Sequence, residues 1–461
     1  MNKQILFLVL LLSIAAKAFS EEVEINGMWY NLLSKGKVAT VIQYKNNIRY
    51  SGSIVIPESV EHNGEIYSVI SVEDQAFIGC SDLTSVTIPG SVTTIGDNVF
   101  YWCSNLSSVT IGNSVSNIGN NVFYGCSGLT SVYISDIAAW CKITFGSTMS
   151  NPLYYAQHLY LGEEEITDLV IPDNVTTIGN DTFRGCNGLN SVTIPGSVIS
   201  IGNFAFAQCS GLNSVTIPNS VTSIGFGVFY GCSGLNSVRI PDGVTIIPDG
   251  AFRDCNSLVS VTITGSVNSI GEYAFSGCHN LTSFTIPNSV TSIGPLVFYD
   301  CSRLASVTIG SGVKEIERRA FAKCPELADV YCYAENVPSI GTDAYQDSYI
   351  EYATLHVPAS SIDAYKTFEP WKNFKAVVAL NDESSDVAQV SANAVVILSQ
   401  GSRIMVNGTD DGTNICVYGA NGALCGTAVS YNGSAAVSTP LPTGSVVFVK
   451  IGDKAVKVVM R

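Results

Sequence analysis

Apolar residues return along most of this chain with a fixed beat of 23 positions. In the unit from Ile88 to Thr110 they fall at Ile88, Val92, Ile95, Phe100, Cys103, Leu106 and Val109. The next unit repeats them at Ile111, Val115, Ile118, Phe123, Cys126, Leu129 and Val132. Seven inward side chains per 23 residues suit one coil of a stack, because no unit of this size can bury such a face alone. The run Leu106-x-x-Val109-x-Ile111 predicts a strand with Val109 and Ile111 pointing in and Ser108 and Thr110 pointing out. The proline that follows the isoleucine in most units ends that strand, since it has no N–H for the next ladder bond. Ile-Gly pairs such as Ile95-Gly96 predict a tight corner. The stretch Gly96 to Cys103 predicts a short helical turn carrying Phe100 inward.

The fourteen cysteines follow the same beat. Cys80, Cys103 and Cys126 are 23 apart, and the step recurs through Cys186, Cys209, Cys232, Cys255, Cys278, Cys301 and Cys324. These ten mark one inward packing position and are expected as a ladder of reduced, structural thiols, since free cysteine packs as a small hydrophobe. Metal ligation is not expected there, because the ladder lacks clustered histidines or paired cysteines. The gap from Cys126 to Cys186 holds one long unit, 134–170.

The pattern predicts a repeat solenoid over residues 56–375, with a parallel β-sheet face and short helical turns. Residues 21–55, with the alternating run "KVATVIQY", are expected as an N-terminal β cap. The first full unit carries an insertion from Glu61 to Tyr67. A C-terminal cap is expected at 353–375: a last strand at Thr354–Val357, a capping-box start at Ser360 and Asp363, and Trp371 with Phe374 plugging the final coil. Residues 376–390 read as a linker. Residues 391–461 lose the repeat and predict a small β-sandwich, with strands at Val395–Leu398, Arg403–Val406, Ile415–Tyr418, Val446–Ile451 and Val456–Met460. Asn421-Gly422 and Asn432-Gly433 supply hairpin turns. Cys416 and Cys425, flanking the first of these turns, are the best-placed disulfide pair in the chain, with free thiols the alternative.

The consensus I-P-x-S-V-T-x-I-G-x-x-x-F-x-x-C-x-x-L-x-S-V-T resembles the BspA-like leucine-rich repeats of bacterial surface proteins, from about Ile56 to Phe374. The long unit and the closing segment "ATLHVPASSIDAYKTFEPWKNF" resemble recurring variants of that family. The resemblance implies a secreted or surface-exposed binding protein that attaches to host matrix proteins or other cells. The C-terminal segment is similar to type IX secretion sorting domains, on "VYGANG" from Val417 and "LPTGSVVFVKIGDKAVKVVMR" from Leu441. That likeness implies passage across an outer membrane and attachment at the surface. It departs from the family where a tyrosine is expected soon after Gly444, and a plain β accessory domain is the alternative.

Composition narrows the partners. Charged residues are only 13%, against about 25% in ordinary globular chains, and the net charge is −15. That balance argues against nucleic acid and anionic membranes. Residues 1–20, with Lys3 ahead of the apolar run "ILFLVLLLSIAA", read as a signal peptide. No later segment is long and apolar enough for a transmembrane helix. Export to the cell surface or beyond is therefore expected.

Chemistry is not signalled. His62, His158, His279 and His356 are far apart and sit in no metal or nucleophile motif. No catalytic residue, metal or cofactor is expected, and an enzyme would need converging carboxylates or a nucleophile–base pair. The outward strand positions form two hydroxyl columns, Ser85 to Ser306 and Thr87 to Thr308. They stabilise stacked coils, and the same flat polar face could bind an extended polypeptide or glycan. Departures from the threonine column, Tyr133, Arg239 and Tyr331, are the first candidate partner-binding residues, since tyrosine and arginine are favoured interface anchors. A second row follows the inward phenylalanine: Tyr101, Tyr124, Arg184, Tyr230, Arg253 and Tyr299, with Trp102 beside the first. Trp140, Phe145, Tyr154, Tyr155 and Tyr160 are expected to fill the long unit. The expected partner is an extracellular protein, with glycan capture beside degrading enzymes as the alternative.

Overall fold

A computed structural model describes residues 20–45 and 49–380, and, of the C-terminal segment, 396–400, 403–407, 409, 412–419, 423–430, 434–441, 445–451 and 454–459. The expected signal peptide, the segment 381–395 and both Asn-Gly turns lie outside these residues. The described chain divides into a repeat unit and a C-terminal unit.

The repeat unit is a parallel β-solenoid. β-branched residues at the two inward strand positions favour extended backbone. Each coil adds one strand in register with the equivalent residue of its neighbour: Val86 faces Val109, and Val109 faces Val132. This sheet runs through Gly52–Val55, Leu83–Thr87, Ser108–Ile111, Ser131–Ile134 and Leu159–Leu161. It resumes in segments ending with Asp329–Cys332, Thr354–Val357 and Ala376–Ala379. A second parallel sheet of two-residue strands, such as Thr94–Ile95 and Asn117–Ile118, occupies the Ile-Gly corner. Gly96 there needs no left-handed backbone. A Cβ on it would lie 2.6 Å from the Asp74 nitrogen of the coil before, so close packing rather than turn geometry selects glycine.

The expected helical turn is a run of i→i+3 turns. Tyr101 donates to Asn98 and Cys103 to Phe100, while Asn98, Phe100 and Trp102 donate to the next coil. Left-handed residues two positions on either side of the phenylalanine, Asn98 (φ 54°) and Trp102 (φ 59°), divert the chain from a helical path. The same pair of positions is left-handed around Phe77, Phe206, Phe252, Phe275 and Phe298.

Two buried columns hold the coils together. Phenylalanine rings stack from Phe77 to Phe123 and from Phe183 to Phe321, with neighbouring centroids 5.2–5.7 Å apart. Tyr50 closes the first stack at 4.8 Å and Tyr345 the second at 5.3 Å. The cysteine column lies beside them, fully buried and unbonded to other cysteines. Its thiols have a role beyond volume. Cys232 Sγ donates to the Phe206 carbonyl at 3.0 Å, and Cys103, Cys126, Cys209, Cys255, Cys278, Cys301 and Cys324 do the same 26 residues back. A thiol is a small apolar group with one weak donor, which this position uses.

The ends differ in construction. Antiparallel strands Ser20–Ile25, Met28–Leu33 and Val38–Val41 join the second sheet through Glu65–Val72. The insertion in the first unit is a hairpin turning at Asn63-Gly64, both left-handed. At the other end Trp371 is fully buried and donates to the Pro338 carbonyl, and Phe374 packs on Tyr345. The Ser360–Asp363 capping box is not formed. A 3-10 turn, Ala359–Ser361, leads into the helix Ile362–Tyr365, and Ser361 donates instead to the Glu335 carbonyl. The sheet also continues into the start of the expected linker, because Ala376–Ala379 pairs in parallel with Thr354–Val357.

The C-terminal unit has two antiparallel sheets around Ile404, Val406, Ile415, Val417, Val437, Val447 and Val449. Two strands were not anticipated, Leu424–Val429 and Ser434–Ser438. Cys425 packs against the core, whereas Cys416 lies between the core residues Ile415 and Val417 and so faces the other way. The expected disulfide is not formed, since alternation puts the two thiols on opposite faces.

Candidate binding surface

In-register stacking turns each outward position into a column. Thr87, Thr110, Tyr133 and Tyr160 follow one another, as do Thr285, Thr308, Tyr331 and His356. Tyr133 stacks on Tyr160 with centroids 4.9 Å apart, and Tyr331 stacks on His356 at 4.3 Å. His356 Nε2 is 2.9 Å from Asp329 Oδ1. Burial and the neighbouring Asp329 carboxylate push the Tyr331 hydroxyl pKa up. Arg239 is 47% exposed and donates to Asn219 Oδ1 at 3.0 Å. The three exceptions share a face but not a site, because Arg239 and Tyr331 are four coils, roughly 19 Å, apart.

The second row is different. Its members lie along the phenylalanine turns, where adjacent coils bring them into contact. Tyr101 stacks on Tyr124 at 5.0 Å, and Trp102 meets Tyr124 edge-on at 6.0 Å. Trp102 is 55% exposed and stands where five other coils have glycine, its ring over Gly125. Further along, the Arg253 guanidinium lies 5.8 Å from the Tyr230 ring and 4.8 Å from the Tyr273 ring. Lys323 Nζ lies 5.0 Å from the Tyr299 ring.

Arg184 is taken out of this surface. It pairs with Asp181 at 3.0 Å, lies 4.7 Å from the Phe204 ring and is only 13% exposed. Burial raises the Asp181 pKa in spite of the arginine.

Sequence reasoning missed Tyr273, Phe204 and the exposed Phe226, which meets Phe204 edge-on at 5.1 Å. A signal existed. Tyr273 and Phe204 occupy the left-handed position that Asn, Asp or Gly holds in five of the ten coils of the cysteine ladder, a poor backbone for bulky residues. Of the long-unit aromatics, Trp140 and Tyr155 do fill the coil: Trp140 is buried and donates to the Thr182 carbonyl, and the Tyr155 hydroxyl accepts from Gly125 N–H.

All four histidines meet a carboxylate: His62 with Glu21, His158 with Glu165, His279 with Asp300 and His356 with Asp329. Among the described residues no three His, Cys, Asp or Glu cluster as metal ligands. None of their helices is long and apolar enough to cross a membrane.

The repeat register has a counterpart among known proteins. The BspA type leucine rich repeat region matches residues 53–150, 156–278 and 245–373. The chain belongs to the BspA-type leucine-rich repeat family. Proteins of this type are generally secreted or at the cell surface, and leucine-rich repeat solenoids typically serve as binding or scaffold proteins. Similar solved structures include a leucine rich cell surface protein of Faecalibacterium prausnitzii (23% identity, 82% of this chain and 99% of that one, TM-score 0.46). A leucine-rich repeat protein of Bacteroides ovatus is 23% identical over 73% of this chain and 99% of its own (TM-score 0.36). The pneumococcal vaccine antigen PcpA is 17% identical over 78% and 99% (TM-score 0.43). No curated protein matches. Within this BspA-type solenoid, neighbouring departures from the repeat touch along the turn-side row and, at Tyr133–Tyr160 and Tyr331–His356, on the strand face.

Proposed function

We propose that this chain is a secreted or cell-surface, non-enzymatic binding protein that attaches to host matrix proteins or other cells along the turn-side row. The observation that carries the reading is the exposed Tyr101–Trp102–Tyr124 cluster, followed on the same side by Tyr230, Arg253 and Tyr273. Trp, Tyr and Arg dominate interface energetics because they offer large rigid surfaces with a polar or charged end. A chain with only 13% charged residues has few other strong contacts to offer. The N-terminal apolar segment serves export, and the C-terminal unit serves sorting or attachment at the surface. Many copies on one cell multiply individually weak contacts.

The test uses the chain from residue 21 onward against purified matrix proteins and whole cells. Trp102→Gly with Tyr124→Ser should weaken binding by about tenfold, a hot-spot effect, and leave the melting curve in place. Arg239→Ala with Tyr331→Ala should have less effect. Unchanged binding by the first double variant removes the turn-side row from consideration.

A further inference from the structure

Two coils depart from both the outward threonine column and the proline column, Tyr133 with Ser135 and Tyr331 with Tyr333, whereas Arg239 keeps Pro241, and a cavity lies at the first of them. Regular coils place Pro89, Pro172, Pro195, Pro218, Pro241 or Pro287 after the last inward isoleucine. The two coils leading into the long unit have Gly112 and Ser135 instead. In the same stretch the outward residue changes from Thr110 to Tyr133 and then Tyr160. No pyrrolidine ring fills the corner at Gly112 or Ser135, and Tyr133, stacked on Tyr160, lines it. The result is a cavity of about 360 Å³, within the roughly 300–1,000 Å³ of small-ligand pockets.

Its lining identifies the ligand class. The polar side chains in its lining are Thr110, Asn113, Tyr133 and Ser135, and no residue lining it is charged. Gly162 closes one edge, and the exposed Glu163 and Glu164 follow it. In a chain of net charge −15, an acidic rim without a lining cation disfavours anions. A peptide strand cannot extend this sheet here, because Glu164–Glu165 already pairs with Tyr160 and Leu161. A neutral ligand with an aliphatic C–H face for the Tyr133 ring and hydroxyls for the amide and hydroxyl groups meets every feature.

We propose that the pocket beside the Tyr133–Tyr160 stack binds a pyranose unit of a neutral glycan. This rests on the reading of the chain as a binding protein and gives it one ligand class. The repeat contains its own comparison. Gly310 precedes the Tyr331–His356 stack as Gly112 precedes the Tyr133–Tyr160 stack, but there the bulky Tyr333 occupies the place of Ser135.

The test titrates the chain from residue 21 onward with neutral oligosaccharides of glucose, mannose, galactose and N-acetylglucosamine, and with sialylated and sulfated counterparts, by saturation-transfer NMR and calorimetry. At least one neutral series should bind with little dependence on salt. Tyr133→Thr and Ser135→Pro, which restore the regular repeat and keep the fold, should each lower affinity by about tenfold or more. Tyr133→Phe should retain binding, and Ile246→Thr, at an exposed position outside the lining, should leave it unchanged. Absence of neutral binding, preference for the sulfated series, or equal binding by Tyr133→Thr overturns the proposal. Retained attachment to matrix proteins or cells in that event leaves the broader function standing. Loss of protein binding in Tyr133→Thr, with no glycan bound, assigns the pocket to a polypeptide and also overturns it.

Discussion

Replacing Phe229 by alanine should divide the solenoid into two weakly coupled blocks. Phe229 is fully buried, with Phe206 on one side and Phe252 on the other, both at 5.6 Å and within 16° of parallel. Truncating a buried phenylalanine costs about 3–5 kcal/mol through lost transfer energy and the cavity left behind. Loss of two ring stacks, each worth about 0.5–1.5 kcal/mol, places this site in the upper half of that range. Main-chain hydrogen bonds are untouched: Phe229 N–H still reaches Ala251, and its carbonyl still accepts from Cys255 Sγ. The variant therefore isolates the ring. Because each coil contacts only its neighbours, the loss falls on one interface instead of spreading through the stack. Urea unfolding followed by circular dichroism and tryptophan emission can tell the halves apart, since Trp102 and Trp140 lie before the break and Trp371 after it. Two separated transitions are expected, with Phe229→Leu intermediate. A loss under about 1 kcal/mol, or one equally large for leucine, would refute the view that stacked rings couple the coils.

Two further outcomes follow from buried ionisable groups. Burial pushes the Cys126 and Cys186 thiols up to about 12 from their usual 9.0. The folded state thus keeps a proton that the unfolded state releases, so the stabilisation is complete below about pH 9 and is lost as pH rises toward 12. Melting temperatures measured across that interval should fall, and less steeply when both residues are alanine. Alkylation of the native chain near neutral pH should reach only the half-buried Cys416 and Cys425, with the ladder labelled after denaturation, as mass spectrometry can read. Arg184→Gln should cost roughly 2 kcal/mol by stranding the half-buried Asp181, yet leave partner binding unchanged in the attachment assay.

Much of the architecture was legible because the repeat states the same packing decision many times. Ile88, Val92, Ile95, Phe100, Cys103, Leu106 and Val109 are all buried as their periodicity predicts. The strand alternation was equally readable. The candidate surface was legible only as a set of exceptions. Tyr133 and Tyr331 stood out from the threonine column, but their stacking partners come from the irregular long unit and the C-terminal cap, where the 23-residue register gives no guide.

The sequence by itself determined the solenoid, its period and its inward face, because a 23-residue coil can bury seven apolar side chains only against a copy of itself. The tertiary structure decided which departures meet. It drew Arg184 inward to Asp181, left Trp102 exposed over Gly125, and opened a cavity where Gly112 and Ser135 coincide with Tyr133. It also showed why cysteine rather than alanine suits the ladder, since eight of its ten thiols donate to a phenylalanine carbonyl of the coil before. Apart from the local Arg184–Asp181 pair, these outcomes depend on distances between residues some 20–30 positions apart, set by how coils stack.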